Sequence, residues 1–140
     1  MPFERAPDTP RPSVPSLFVE AMPDQLQVVR AFVRTQAGHC LSADELADLV
    51  LVVDEAASTL IAKAAPSSAM ACVFDIVPGN VQVVLSVTAT APLDISTSSF
   101  GWFVLEMLVD DVALEQGPSP AADGQWVARI VLCEELHPGL

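Results

Sequence analysis

One long amphipathic helix, predicted to begin after Ser42, constrains the fold of this chain more than any other sequence feature. Ser42 and Glu45 have the spacing of a capping box, in which each side chain accepts a backbone N–H from the other residue. Eight apolar residues then recur at helical spacing before Pro66 ends the run: Leu46, Leu49, Val50, Val53, Ala57, Leu60, Ile61 and Ala64. Because a helix with one apolar face needs a second layer to cover it, we expect a layered fold.

The other segments supply the second layer. Pro78-Gly79-Asn80 separates two apolar runs, residues 69–77 and 81–89, and predicts a β-hairpin. Further elements are predicted as a strand at 16–22, a helix from Pro23 to Gly38, a helix at 100–114 and a strand at 125–133. The order β-α-α-β-β-α-β predicts an α+β two-layer sandwich: a mixed, mostly antiparallel sheet covered on one face by helices.

The third predicted helix places five apolar residues toward the core: Phe103, Val104, Met107, Leu108 and Val112. The segments beside it, residues 90–99 and 117–124, are rich in polar and turn-forming residues and are predicted as loops.

Length and composition indicate one folded domain. The chain has 140 residues, of which 51% are hydrophobic and 17% charged, so a sizeable core is expected. Five prolines within residues 1–15 predict a flexible N-terminal tail, and residues 135–140 a C-terminal tail. The domain is therefore expected to span residues 16–134.

The charge balance excludes one class of partner. Six Lys and Arg face eighteen Asp and Glu, which gives a net charge of -12, and Lys63 is the only Lys or Arg between Thr35 and Ala128. Such a surface repels phosphate backbones, so direct nucleic-acid binding is not expected. It attracts a basic protein surface instead. The sequence also predicts no transmembrane segment and no signal peptide.

Common catalytic and cofactor motifs are missing from the sequence. There is no GxSxG, P-loop or GxGxxG, and His39 and His137 stand in no recognisable catalytic or metal-binding pattern. Cys40, Cys72 and Cys133 are odd in number and lack CxxC spacing. They predict free thiols in a reducing cytoplasm, with a redox role as the open alternative.

The long helix carries an unusual acidic pair, Asp54-Glu55, within its apolar run. Glu55 and Thr59 share one helix face, separate from the apolar stripe. One interpretation is a solvated side of the helix. The other is a carboxylate that faces a ligand over the sheet.

Three segments together resemble the RsbW-type anti-sigma factors, a branch of the GHKL (Bergerat-fold) ATPases and kinases. They are residues 22–33 (MPDQLQVVRAFV), 49–59 (LVLVVDEAAST) and 100–112 (FGWFVLEMLVDDV), and they are similar to the first helix, the N-box helix and the helix after the ATP lid of that family. The third is most similar to actinobacterial regulators of sigma F-class stress factors. The resemblance spans residues 16–132 and implies a GHKL-like sandwich.

Several departures from the family pattern affect the nucleotide site. Thr59 stands where the N-box asparagine would bind magnesium, while Glu55 matches the glutamate that acts as general base in kinase members. The loop 88–94 (TATAPLD) lacks the G1-box glycines, and Asp94 is its only carboxylate for the adenine. Of the lid glycines only Gly101 remains. Because each lost contact is worth about 1–3 kcal/mol, micromolar ATP affinity would fall beyond millimolar.

The resemblance therefore implies two functions. The first is a non-catalytic anti-sigma factor that sequesters a sigma factor as a homodimer and is released by a STAS-domain anti-anti-sigma factor. In the first, Arg30 matches the family arginine that contacts the sigma factor, and no cofactor is needed. The second is a Mg-ATP-dependent serine kinase for the STAS protein, with Glu55 as base and Thr59 in the magnesium position. A decoy that binds only STAS proteins is a third possibility.

Two further groups of residues have alternative roles. Asp44, Asp48, Glu106, Asp110 and Asp111 form an acidic set that either faces basic regions of a sigma factor or only solubilises the surface. Phe100 and Trp102 are expected to fill the vacated nucleotide pocket rather than to bind a ligand.

Overall fold

The computed structural model describes residues 14–94 and 100–136, with only the backbone of Phe100. Its elements are β1 (Ser16–Glu20), a 3-10 turn (Pro23–Gln25), α1 (Leu26–Ala37), α2 (Ala43–Lys63), β2 (Ala69–Val77), β3 (Asn80–Ala89), α3 (Phe100–Leu108), β4 (Asp111–Pro118) and β5 (Trp126–Glu135). The α+β class is confirmed. Most of the predicted tails at 1–15 and 135–140, and residues 95–99 of the predicted loop at 90–99, lie outside the described residues, and β5 continues to Glu135.

Helix α2 begins at the capping box that the sequence predicts. The Ser42 N–H donates to Oε1 of Glu45 over 2.9 Å, and the Glu45 N–H donates to Oγ of Ser42 over 3.1 Å. At the other end the chain leaves the helix at Ala64, which bridges to Ala89 of β3. Both ends of α2 are thus fixed, the second one directly to the sheet.

The sheet has the strand order β1-β2-β3-β5-β4, and every neighbouring pair is antiparallel. The expected mixed sheet is therefore wrong in detail, since no parallel pair is present among the described strands. The predicted hairpin is confirmed, because Pro78 and Gly79 form the two-residue turn between β2 and β3. Gly79 has a φ of 80°, and proline followed by such a glycine is the pattern of a type II turn.

The predicted helix at 100–114 is wrong in its second half. Helix α3 ends at Leu108, and Asp111 to Pro118 form β4, which pairs with β5 along its whole length. Half-buried Val112 and Leu114 alternate with exposed Asp111, Ala113 and Glu115, which is the period of a strand. The sequence predicted a helix through Val112 because this residue lies four positions beyond Leu108, which is also the spacing of a helix face. The sequence order therefore missed one strand.

The core lies between the helices and one face of the sheet. On β3 the buried residues alternate strictly: Val81, Val83, Leu85, Val87 and Ala89. Helix α2 packs against β3 and β5 and is flanked by α1 and α3. In the described ranges no helix combines the length and the apolar character needed to cross a lipid bilayer.

Helix α3 turns a different face to the core than expected. Its buried residues are Trp102 and Leu105, and Val109 just after the helix is also buried, whereas Phe103 and Met107 are 53% and 65% exposed. Because apolar residues occur all round this short helix, their spacing did not fix which face would be buried.

Candidate functional site

The adjacent carboxylates Asp54 and Glu55 of α2 contact different neighbouring helices. Asp54 faces α1, where Nη1 of Arg30 donates to its Oδ1 in an ion pair. Glu55, one residue further along the helix, faces α3. Both residues are half-buried, each at an edge of α2 against a neighbouring helix.

Arg30, the residue expected to contact a partner, is thus already engaged within the chain. Its side chain is 35% exposed and that of Asp54 is 32% exposed. The guanidinium has five N–H donors, and only Nη1 is used in the ion pair. The ion pair with Asp54 therefore fixes the position of the Arg30 side chain at the surface, while part of its guanidinium group remains exposed to solvent.

Glu55 lies directly against Gly101 in the first turn of α3. A Cβ atom placed on Gly101 would stand 2.6 Å from Oε2 and 3.4 Å from Cδ of Glu55. The carboxylate therefore occupies the space beside the glycine α-carbon, so α2 and α3 are in contact at this point. This is also the amino-terminal end of α3, where the helix dipole stabilises a negative charge.

Thr59 has its hydroxyl proton committed within α2. Its Oγ1 donates to the carbonyl oxygen of Glu55 over 2.9 Å, the usual back-bond of a helical threonine. The half-buried oxygen keeps lone pairs but not the reach of an asparagine amide. Thr59 therefore lies one turn from the Glu55–Gly101 contact, with its hydroxyl proton already used in the helix.

The loop after β3 is anchored by a residue that sequence reasoning missed. The side-chain amide of Gln116 on β4 makes two hydrogen bonds to the backbone of Leu93: the Leu93 N–H donates to Oε1 over 2.7 Å, and Nε2 donates to the Leu93 oxygen over 3.0 Å. Leu93 itself is buried in the core. Gln116 escaped notice because its segment was predicted to lie outside any strand. Asp94, the expected adenine contact, follows Leu93 and is exposed.

Phe100 and Trp102 were expected to fill the space of a nucleotide pocket, and the structure describes the side chain of Trp102. Trp102 is 7% exposed and belongs to the core cluster with Leu105 and Val109. The side chain of Phe100 lies outside the described residues. Among the aromatic candidates, the indole of Trp102 therefore adds apolar bulk in the turn that carries Gly101.

Three surface hollows are lined by other residues. One of about 390 Å³ lies along the ends of β4 and β5 and includes Gln116 and Arg129. The second lies at the end of α3, and the third lies beside Phe18 on the sheet face away from the helices. None of these three is lined by Glu55, Thr59, Asp94 or Gly101.

The three cysteines are free thiols in different environments. Burial raises the pKa of the Cys72 thiol to about 12, so this thiol does not ionise at neutral pH. Burial also raises the pKa of Cys40, whose Sγ donates to the Ala37 oxygen, and the charge of Glu45 adds to the effect. Cys133 lies half-buried on β5. Among the described residues, no three His, Cys, Asp or Glu side chains gather as a metal site.

Of the five expected site residues, the structure joins Glu55 and Gly101 and sets Thr59 one turn away. Arg30 lies on the opposite side of α2, and Asp94 lies exposed in the loop after β3. Neither a comparison with protein-family models nor a comparison with curated proteins finds a match to this chain.

Proposed function

We propose that this chain is an anti-sigma factor-like regulator that sequesters a sigma factor by protein–protein binding, without ATP binding or kinase activity. The observation that carries the proposal is the contact of the Glu55 carboxylate with the α-carbon of Gly101. In the fold that the sequence resembles, a nucleotide would lie between these two helices. Phosphates there would have to displace the Glu55 carboxylate, which occupies that space in this structure.

Electrostatics supports the loss of nucleotide binding. ATP would add negative charge to a domain at -12, and Arg30, the cation on the helix beside Asp54, is already paired. Lys63 is exposed in the last turn of α2, two turns beyond Glu55. The carboxylate of Glu55 would itself repel a phosphate at the contact. These charges favour a basic protein partner over a nucleotide.

The proposal includes a cytoplasmic location and a STAS-domain protein that releases the sigma factor. It also includes a homodimer, for which the uncovered sheet face is the proposed interface. By register, Val73, Val84, Val131 and Ala113 form one apolar row across β2, β3, β5 and β4 on that face. Phe18, 71% exposed, lies on the same face at the edge strand.

The size of this face agrees with a dimer. Five strands about 4.8 Å apart, paired over five to ten residues, present about 600 Å² per copy, or about 1,200 Å² in all. That total lies at the lower end of stable interfaces. Two sheet faces can pack about 10 Å apart, as in a β-sandwich, which would place the apolar rows of two copies against each other.

The test uses purified sigma F-class factors and STAS proteins encoded in the same genome. We expect the chain to inhibit transcription by one such sigma factor without any nucleotide, and to transfer no phosphate from labelled ATP to the STAS protein. Transfer that disappears in Glu55→Ala would establish the kinase instead. Binding of STAS proteins with no effect on any sigma factor would establish the decoy.

Arg30 offers a sharper version of this test. We expect Arg30→Ala to weaken sigma factor binding at least tenfold. Arg34→Ala, which removes an exposed arginine from the next turn of α1, should leave it unchanged. Equal effects of the two substitutions would show that only net charge matters.

A further inference from the structure

The outer face of α3 combines exposed apolar side chains with carboxylates. Phe103 and Met107 are four residues apart, so they lie together on one helix face, 53% and 65% exposed. Glu106 is exposed on α3, and Asp110 is exposed just after the helix ends at Leu108, where its N–H donates to the Cys133 oxygen of β5. We call these four residues the α3 outer face.

A hollow with an acidic lining adjoins this face. It has a volume of about 200 Å³ and lies at the end of α3, where Glu106, Asp110 and Asp111 surround Val109 and Val112. Asp110 is fixed in place, because its Oδ2 accepts the Glu135 N–H over 2.6 Å. Helix α3 carries no basic residue that could neutralise these carboxylates.

The two exposed apolar side chains lie outside the core cluster of the described chain. The core side of α3 is formed by Trp102 and Leu105, followed by Val109 just after the helix, and all three are nearly fully buried. Two neighbouring large apolar side chains on one exposed helix face are a common mark of a protein interface.

We propose that the α3 outer face docks a basic amphipathic helix of a partner protein. The apolar stripe of that helix would cover Phe103 and Met107, and its Lys or Arg side chains would meet Glu106 and Asp110 and reach the acidic hollow. This inference deepens the proposed function and rests on it, because it names the surface that holds the regulator's partner. Helix-to-helix docking of this kind uses residues at i and i+4 as anchors.

Charge argues against other occupants of the same face. A second copy of the chain would bring Glu106 and Asp110 against identical carboxylates, which disfavours pairing. Nucleic acids and anionic lipid surfaces would be repelled for the same reason. A basic helix satisfies both the apolar and the acidic part of the surface.

The first test uses a labelled 18-residue peptide of leucine and lysine, patterned as an amphipathic helix, and measures binding to the full chain by fluorescence anisotropy. Phe103→Ser/Met107→Ser should weaken binding at least tenfold, and Glu106→Gln/Asp110→Asn several-fold with a smaller salt dependence. The matched control is Leu51→Ser, which removes a similarly exposed apolar side chain from α2, outside both proposed interaction surfaces, and should change nothing. Circular dichroism checks that each variant is folded.

Two outcomes would overturn the docking site. One is equal binding of a scrambled peptide with the same composition, since charge alone would then explain the affinity. The other is an equal loss in Leu51→Ser and in Phe103→Ser/Met107→Ser.

A second measurement separates this inference from the proposed function. If Phe103→Ser/Met107→Ser inhibits sigma-dependent transcription as well as the wild type does, the docking site is wrong and the proposed function stands. If the wild type affects no sigma factor but binds the peptide through this face, the proposed function is wrong and the docking site stands.

Discussion

Because Gly101 has no side chain, the Glu55 carboxylate of α2 can pack directly against the first turn of α3. The sequence could place Glu55 on a helix and Gly101 at the start of another, but not bring them together. That contact depends on the packing angle of α3, which its apolar spacing did not determine. The ion pair of Arg30 with Asp54 escaped prediction for the same reason, since it joins residues 24 positions apart.

The Glu55–Gly101 contact predicts a specific coupling. Gly101→Ala should gain about 0.5–1 kcal/mol in helix propensity but must displace the end of a flexible carboxylate, so we expect a net change within about 0.5 kcal/mol. In a Glu55→Ala background the full gain should appear. Urea unfolding of the four proteins measures this, and the same effect of Gly101→Ala in both backgrounds would show that the two residues do not touch.

Cys72 is predicted to be the least reactive of the three thiols. Because burial raises its pKa to about 12, a thiol reagent at pH 8 should label it only on unfolding, well after Cys40 and Cys133. Cys72→Ala should therefore leave the number of fast-reacting thiols unchanged. Rapid labelling of Cys72 in the folded wild type would contradict its burial.

The raised pKa of Cys72 also predicts how the free energy of unfolding changes with pH. Since the folded pKa lies above the unfolded value of 9.0, the thiol's contribution to stability is complete below pH 9 and declines as pH rises toward 12. Urea unfolding at pH 8, 9 and 10 measures this trend. A decline of equal slope in Cys72→Ala would assign it to other groups.

At the scale of elements, local signals succeeded where they were strong. The capping box and the Pro78-Gly79 turn were predictable because each is complete within a few residues. The boundary between α3 and β4 was not, because Val112 fits a helical and a strand period alike. Only pairing with β5 decides between the two, and pairing is a long-range interaction.

The capping box should contribute measurably to stability. Ser42→Ala removes the acceptor for the Glu45 N–H and should lower the free energy of unfolding by about 1 kcal/mol. Ser42→Asp keeps an acceptor at this position and should retain most of the wild-type stability. Equal losses in the two variants would mean that the cap does not act through this hydrogen bond.

At the scale of the whole molecule, two surfaces on opposite sides of the sandwich have different proposed roles. The sheet face has an apolar central row and is assigned to a second copy of the chain. The α3 outer face is apolar and acidic and is assigned to a basic partner.

The dimer is tested by one lysine in the apolar row. Val84→Lys places a charge at the centre of the sheet face and should convert a dimer to a monomer in sedimentation velocity, while Met107→Lys on α3 should not. A wild-type chain that sediments as a monomer at about 100 µM would contradict the dimer, since a stable interface corresponds to micromolar affinity or better.

The central claim is that the space between Glu55 and Gly101 no longer admits a nucleotide. Isothermal titration calorimetry of the full chain with Mg-ATP measures this most directly. The account predicts no saturable binding below about 1 mM. A micromolar dissociation constant, weakened by Glu55→Ala, would contradict it.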